Sequence, residues 1–155
     1  KPGIRPNFPL PVPSKSPIPG LTSTTILRIC FHINHFLTEA SRCHRVSQDA
    51  IFEWYARVAS SWREERPARI QLFRFADLYQ PERDEMQCLD GALTGWKPGG
   101  EIERDGLGME KREMKMCRCV CRAKRDGGTH MGWTVQVHWI GEVSWDEVEK
   151  VRKVF

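Results

Sequence analysis

Cys117, Cys119 and Cys121 stand at alternate positions of the segment MCRCVCRAKR, and with Cys30, Cys43 and Cys88 they bring the chain to six cysteines. Thiols can pair as disulfides, ligate zinc as thiolates, or fill a core as small apolar groups. On a strand, alternate side chains point the same way about 6–7 Å apart, wider than one zinc tetrahedron accepts and poorly aimed for bridging. Buried thiols in a reducing compartment are therefore expected, with a secreted, disulfide-bonded small protein as the alternative.

Other reactive pairings are thin. Cys43 with His44, or Cys121 with His130, could make a nucleophile and base on paper, but no third orienting group is evident for either. Asp84 and Glu85 form an acidic pair in a polar loop, where solvated charge is the ordinary explanation. The chain has no glycine-rich phosphate loop, no GxSxG and no HExxH. No catalytic residue, metal site or cofactor is expected.

What remains is cationic chemistry on strands. Arg118, Arg122 and Lys124 share the face opposite the cysteines, next to Val120. After Asp126-Gly127-Gly128, Trp133, Val135, Val137 and Trp139 alternate as an apolar face, with Thr134, Gln136, His138 and Ile140 opposite. If these strands pair, one side is dry and the other polar and basic, a surface suited to a polyanion or a partner chain.

Elements that would position this surface follow from periodicity. Ile51 to Ser60 alternates, with Phe52, Trp54, Ala56 and Val58 on one side and Glu53, Tyr55 and Arg57 on the other; Ile70, Leu72, Phe73 and Phe75 read as its hairpin partner. Leu89, Leu93 and Trp96 mark a short third strand or turn, and Ile102 to Glu113 an exposed loop. Ile26, Ile29, Cys30, Ile33, Phe36, Leu37 and Ala40 recur at helical spacing, predicting a helix over 23–40; its β-branched residues make a strand from Thr25 to Ile33 the competitor. Ser144 and Glu147 form a capping box, flanked by Val143 and Val148 as a staple, predicting a helix over 145–154.

The 155 residues carry a formal charge of +4, with hydrophobic and charged fractions of 40% and 28%, ordinary for one globular domain of residues 22–155. A mild positive charge permits an anionic partner without requiring one. No stretch is long and apolar enough to span a bilayer, so no membrane contact is expected. Seven of the ten prolines lie before Gly20, making residues 1–21 an extended arm or linker. The chain lacks an initial Met and a signal-peptide pattern, so it reads as a fragment or processed product.

Five short antiparallel strands between helices suit a small barrel: mainly β, with the barrel over 50–141 and a helix at each end. AIFEWYARV, RIQLFRFADLY and MCRCVCRAKRD…WTVQVHWIGEVSWDEVEKV resemble the strands and flanking helix of OB-fold domains. The likeness is to the single-domain type seen in the replication protein A middle subunit, telomere-capping small subunits and the small OB subunit of helicase–topoisomerase complexes. ADLYQPERD departs from that pattern in lacking a glycine after the second strand. The resemblance implies a nuclear, noncatalytic subunit of a DNA-maintenance complex that binds single-stranded DNA or RNA, a protein partner, or both. A pure protein-interaction module is the alternative. Nucleic-acid contacts would come from Tyr55, Arg57, Trp62, Arg69, Phe73, Arg74, Arg118, Arg122, Lys124 and His138, with Trp96 in a loop. A stable partner would take Phe8, Leu10, Val12 and Ile18 of the arm and Trp145, Val148, Val151 and Phe155 of the last helix.

Overall fold

Large apolar side chains at every second position from Phe52 to Val58 commit that stretch to a strand, because the pleat sends them all to one side. The computed structural model describes residues 4–5, 20–65, 68–79, 87–94 and 114–154, and in it this strand is β3 (Ala50–Glu64). Before it come β1 (Ile4–Arg5), β2 (Ile26–Cys30) and α1 (Ile33–Arg45); after it come β4 (Ile70–Ala76), β5 (Leu89–Thr94), β6 (Lys115–Arg125), β7 (Trp133–Glu142) and α2 (Trp145–Val154). The ladder runs β3–β4–β5–β7–β6 and returns from β6 to β3, closing five strands on themselves. Only the β5–β7 pair within that ring is parallel. The protein is thus mainly β: a closed, mixed, five-stranded barrel of OB-like form with a helix before it and another after it. β2 adds in parallel to the first part of β3, and β1 covers Leu27 and Arg28 on the outer side of β2.

The barrel interior is lined by Cys117, Cys119 and Cys121 of β6, Val135 and Val137 of β7, and Phe73 and Phe75 of β4, all buried. All six cysteines are free thiols. Burial pushes the Cys117 and Cys119 thiols far above their ordinary value, and burial, helped by Glu39, raises Cys30 to about 12, so these groups stay neutral packing atoms. Gly91 of β5 faces the same space. A Cβ there would lie 2.8 Å from Phe75 Cε2 and 3.1 Å from the Val135 carbonyl oxygen, so only glycine lets β5 approach. Phe36 of α1 closes one end, stacked on Trp54 with centroids 4.7 Å apart.

A smaller cluster forms outside the barrel, where α2 lays Val148 and Val151 against Tyr55, Ile29 and Leu78. Its capping box is made as the sequence predicts: Glu147 N–H donates to Ser144 Oγ at 3.3 Å, and Ser144 N–H to Glu147 Oε1 at 2.9 Å. Val143 and Val148 share this cluster as a staple.

Several expectations are corrected. In place of one helix over 23–40, residues 26–30 form a strand, as their β-branched content favours, and the helix starts only at Ile33. Its start is set from outside: His32 offers no side-chain cap, and Ile33 N–H instead donates to Asp77 Oδ1 at 2.8 Å, from the far end of β4. On β7, Trp139 was expected inside and Ile140 outside, and the reverse holds. Val120 pairs with Trp139 but Cys121 pairs with Val137, so His138 is an extra residue, and one extra residue exchanges the faces beyond it. Tyr55 and Phe73, expected to stack bases, are buried at 2% and 0%. Both lie under apolar neighbours, because each face of β3 and the inner face of β4 is covered. Val148 is likewise fully buried within the chain, and Val151 partly so, so neither is a free docking surface for a partner. Phe8, Leu10, Val12, Ile18, Trp96, Phe155 and the loop Ile102 to Glu113 lie outside the described residues.

Candidate nucleic-acid interface

Strand register carries side chains from one strand to the next across the outer wall. Trp62 of β3 pairs with Leu72, Leu72 with Ala92, Ala92 with Gln136, and Gln136 with Arg122. A second row runs beside it: Ser60, Arg74, Asp90, Thr134 and Lys124. Each row crosses four of the five strand junctions, at about 4.8 Å each, and so winds round most of the barrel. Every one of these side chains is partly or fully exposed.

Relief follows from side-chain size. Ala92 and Thr134 are small, so the middle of the wall sinks into a groove of about 350 Å³, bordered by Thr94, Gln136, His138 and Lys124. Trp62 rises at one end, 43% exposed. It faces outward because the β3–β4 register slips between Val58 and Ser60; without that bulge the alternation would have put Trp62 inside, where Ser61 now bonds Gln71 at 2.8 Å. A shallow polar floor with a cationic rim can hold a phosphate, and an exposed indole elsewhere on the barrel can stack a base.

The electrostatics divide the predicted cations. Arg122 forks onto Asp49 at 3.1 and 3.2 Å, and Asp49 also accepts from Thr25 at 2.7 Å. The third arm of Arg122 meets His138 Nε2 at 2.9 Å, which requires that nitrogen to accept and the ring to be neutral. Arg118 Nε lies 3.3 Å from Glu53 Oε2, with its guanidinium 5.5 Å from the Trp139 ring centroid. Arg74 pairs with Asp90 at 3.1 Å. Arg57 donates to the Leu78 and Met114 carbonyls at 2.9 and 3.1 Å and lies over Trp145, so it holds loops and α2 together. Arg69 is exposed just before β4, away from the two rows. Lys124 is exposed and, among the described residues, has no ion-pair partner.

The structure therefore brings Lys124 and His138 to one groove, commits Arg122 beside them to Asp49 and His138, and places Trp62 and Arg74 further round the barrel, with Arg57 and Arg69 elsewhere. Trp139, 46% exposed beside Arg118, is the surface aromatic that sequence periodicity missed, since nothing local marks the His138 bulge. Trp145, 42% exposed, stays available at the start of α2.

The Asp49–Arg122–His138 network gives a pH signature. Burial, then the Arg122 charge, lowers His138 from its ordinary value near 6.5. For Asp49, burial acts upward, but the Arg122 and Thr25 hydrogen bonds outweigh it and hold the carboxyl below 3.8. Both folded values are depressed, so the unfolded chain binds more protons on acidification, and stability falls with pH. The His138 contribution is complete above about 6.5 and is lost as pH drops through its lowered value; the Asp49 contribution is lost below 3.8. Thermal melts at pH 7.5 and 5.0 should show a lower Tm at the acid pH, with the difference reduced in His138→Gln. An unchanged pH dependence in that variant counts against this role for His138.

Comparison with protein-family models, with curated proteins and with solved structures finds no match to this chain.

Proposed function

We propose that this chain is a noncatalytic OB-type subunit of a DNA-maintenance complex, working in a reducing compartment such as the nucleus and binding single-stranded nucleic acid along the groove of β5, β7 and β6. The observation that carries the reading is the groove floored by Ala92 and Thr134 and bordered by His138 and the exposed Lys124, with exposed Trp62 further round the barrel in the register row of Ala92. A base stacked on an exposed aromatic contributes roughly 1–3 kcal/mol whatever its identity, and each released counterion adds a salt-dependent share.

Fluorescence anisotropy with labelled single-stranded oligonucleotides tests it at 50 and 200 mM salt. Trp62→Ala is expected to weaken binding about 5- to 150-fold, the equivalent of roughly 1–3 kcal/mol, with little change in salt slope. Lys124→Glu should weaken it and flatten the slope by about one. Absence of binding at 50 mM salt, or wild-type affinity in both variants, would remove the nucleic-acid reading.

A second reading, a pure protein-interaction module, is favoured by Trp145 and Trp139, each more than two-fifths exposed and neither in the groove lining. A stable partner recovered from the native source, lost on Trp145→Ala while oligonucleotides fail to bind, would select it.

A further inference from the structure

Lys124 lines not only the groove but also a second cleft, of about 300 Å³, between the last turn of α1 and the ends of β6 and β7. The charged lining of this cleft is Arg122, Lys124 and Arg125 against one acid, Asp49, with the His44 ring beside them. Asp49 is already committed to Arg122 and Thr25, and Arg122 to Asp49 and His138. Lys124 and Arg125 are both exposed, and neither meets an acid among the described residues. Arg125 is held in place by a cation–π contact, its guanidinium 5.2 Å from the Trp133 ring centroid, and the same indole meets His44 edge-on at 6.0 Å. The carbonyl end of α1 would repel an anion, but its final carbonyls are occupied: Ser47 N–H bonds His44 O at 3.2 Å and Gln48 N–H bonds Cys43 O at 2.9 Å. Arg42, His44 and Arg45 in that last turn offset the helix dipole further.

We infer that this cleft binds a phosphoryl group, carried by the strand that crosses the groove and turned into the cleft over Lys124. The carrier rests on the nucleic-acid reading above; the anion site rests on the cleft alone. Two sources share this chemistry, an internal phosphodiester and a terminal phosphate monoester.

Two measurements test it. An NMR titration of the whole chain with inorganic phosphate, against sodium chloride of equal ionic strength, should move the Trp133 indole N–H, the Arg125 Nε–H and the His44 ring selectively. Those shifts should vanish in Arg125→Glu, an exposed change whose Tm should match wild type. No phosphate-specific shift in the wild type overturns the inference. Anisotropy with 5′-phosphorylated, 3′-phosphorylated and unphosphorylated oligonucleotides then identifies the carrier. Arg125→Glu should bind several-fold more weakly with a salt slope flatter by about one. Equal losses on all three point to an internal phosphodiester, and a loss confined to one phosphorylated end to that terminus. If Arg125→Glu binds all three like wild type while Trp62→Ala is impaired, the cleft is excluded and the groove reading stands. Phosphate-specific shifts in a chain that binds no oligonucleotide would support the anion site and remove the strand as its carrier.

Discussion

Arg122→Ala is expected to destabilise the fold by about 2–4 kcal/mol, although the residue sits on the outer wall and reads from sequence as a phosphate contact. Its side chain is 13% exposed, and it ties its strand to two other segments: Asp49 before β3 and His138 at the β7 bulge. Removing it breaks a bidentate charge-assisted pair and leaves His138 Nε2 without its donor. The loss stays below that of a fully buried pair because Asp49 is 41% exposed and water can reach it. Lysine should rescue little, since an ammonium cannot reproduce a planar fork. Urea denaturation of Arg122→Ala, Asp49→Asn and the double variant should give a coupling energy above 1 kcal/mol. A single variant within about 0.5 kcal/mol of wild type would contradict this picture. The consequence for function is practical: weakened oligonucleotide binding by an Arg122 variant reports on the fold first, and Lys124 or Arg125 is the cleaner probe of the surface.

Trp54→Ala should have the larger effect, about 3–5 kcal/mol. Trp54 is fully buried between α1 and the barrel, stacked on Phe36 at 4.7 Å and edge-on to Phe75 at 5.1 Å. Three elements converge on that one ring, so the space left by alanine cannot close without moving α1 off β3. Trp54→Phe is expected to cost much less than alanine, because it keeps an aromatic surface and removes an indole N–H that finds no acceptor among the described residues. Chemical denaturation with a Trp54→Phe control checks both; equal losses in the two variants would place the energy elsewhere than in packing.

Much of the barrel was legible in the chain because its signals are local. Phe52, Trp54, Ala56 and Val58 alternate, as do the three cysteines of β6, and all of them point inward as their period requires. The start of α2 was legible for the same reason, since Ser144 and Glu147 complete each other's hydrogen bonds within one turn. The surface was less so. Two bulges, at Ala59 and His138, put Trp62 and Trp139 outside, and each depends on how a neighbouring strand pairs rather than on any residue nearby. The start of α1 escaped for a related reason, its first amide being capped by Asp77 at the far end of β4.

Composition and periodicity by themselves determined that this is a mainly β domain with a thiol-rich interior and a capped final helix, because burial of alternating apolar side chains admits few other arrangements. Only the tertiary structure decided which cations remain available to a ligand. Arg118 finds Glu53 on the neighbouring strand β3 and Arg122 finds Asp49 just before that strand, whereas Lys124 and Arg125 meet no acid among the described residues. Charge pairing acts through space over a few ångströms, and the folded register alone sets which residues come that close.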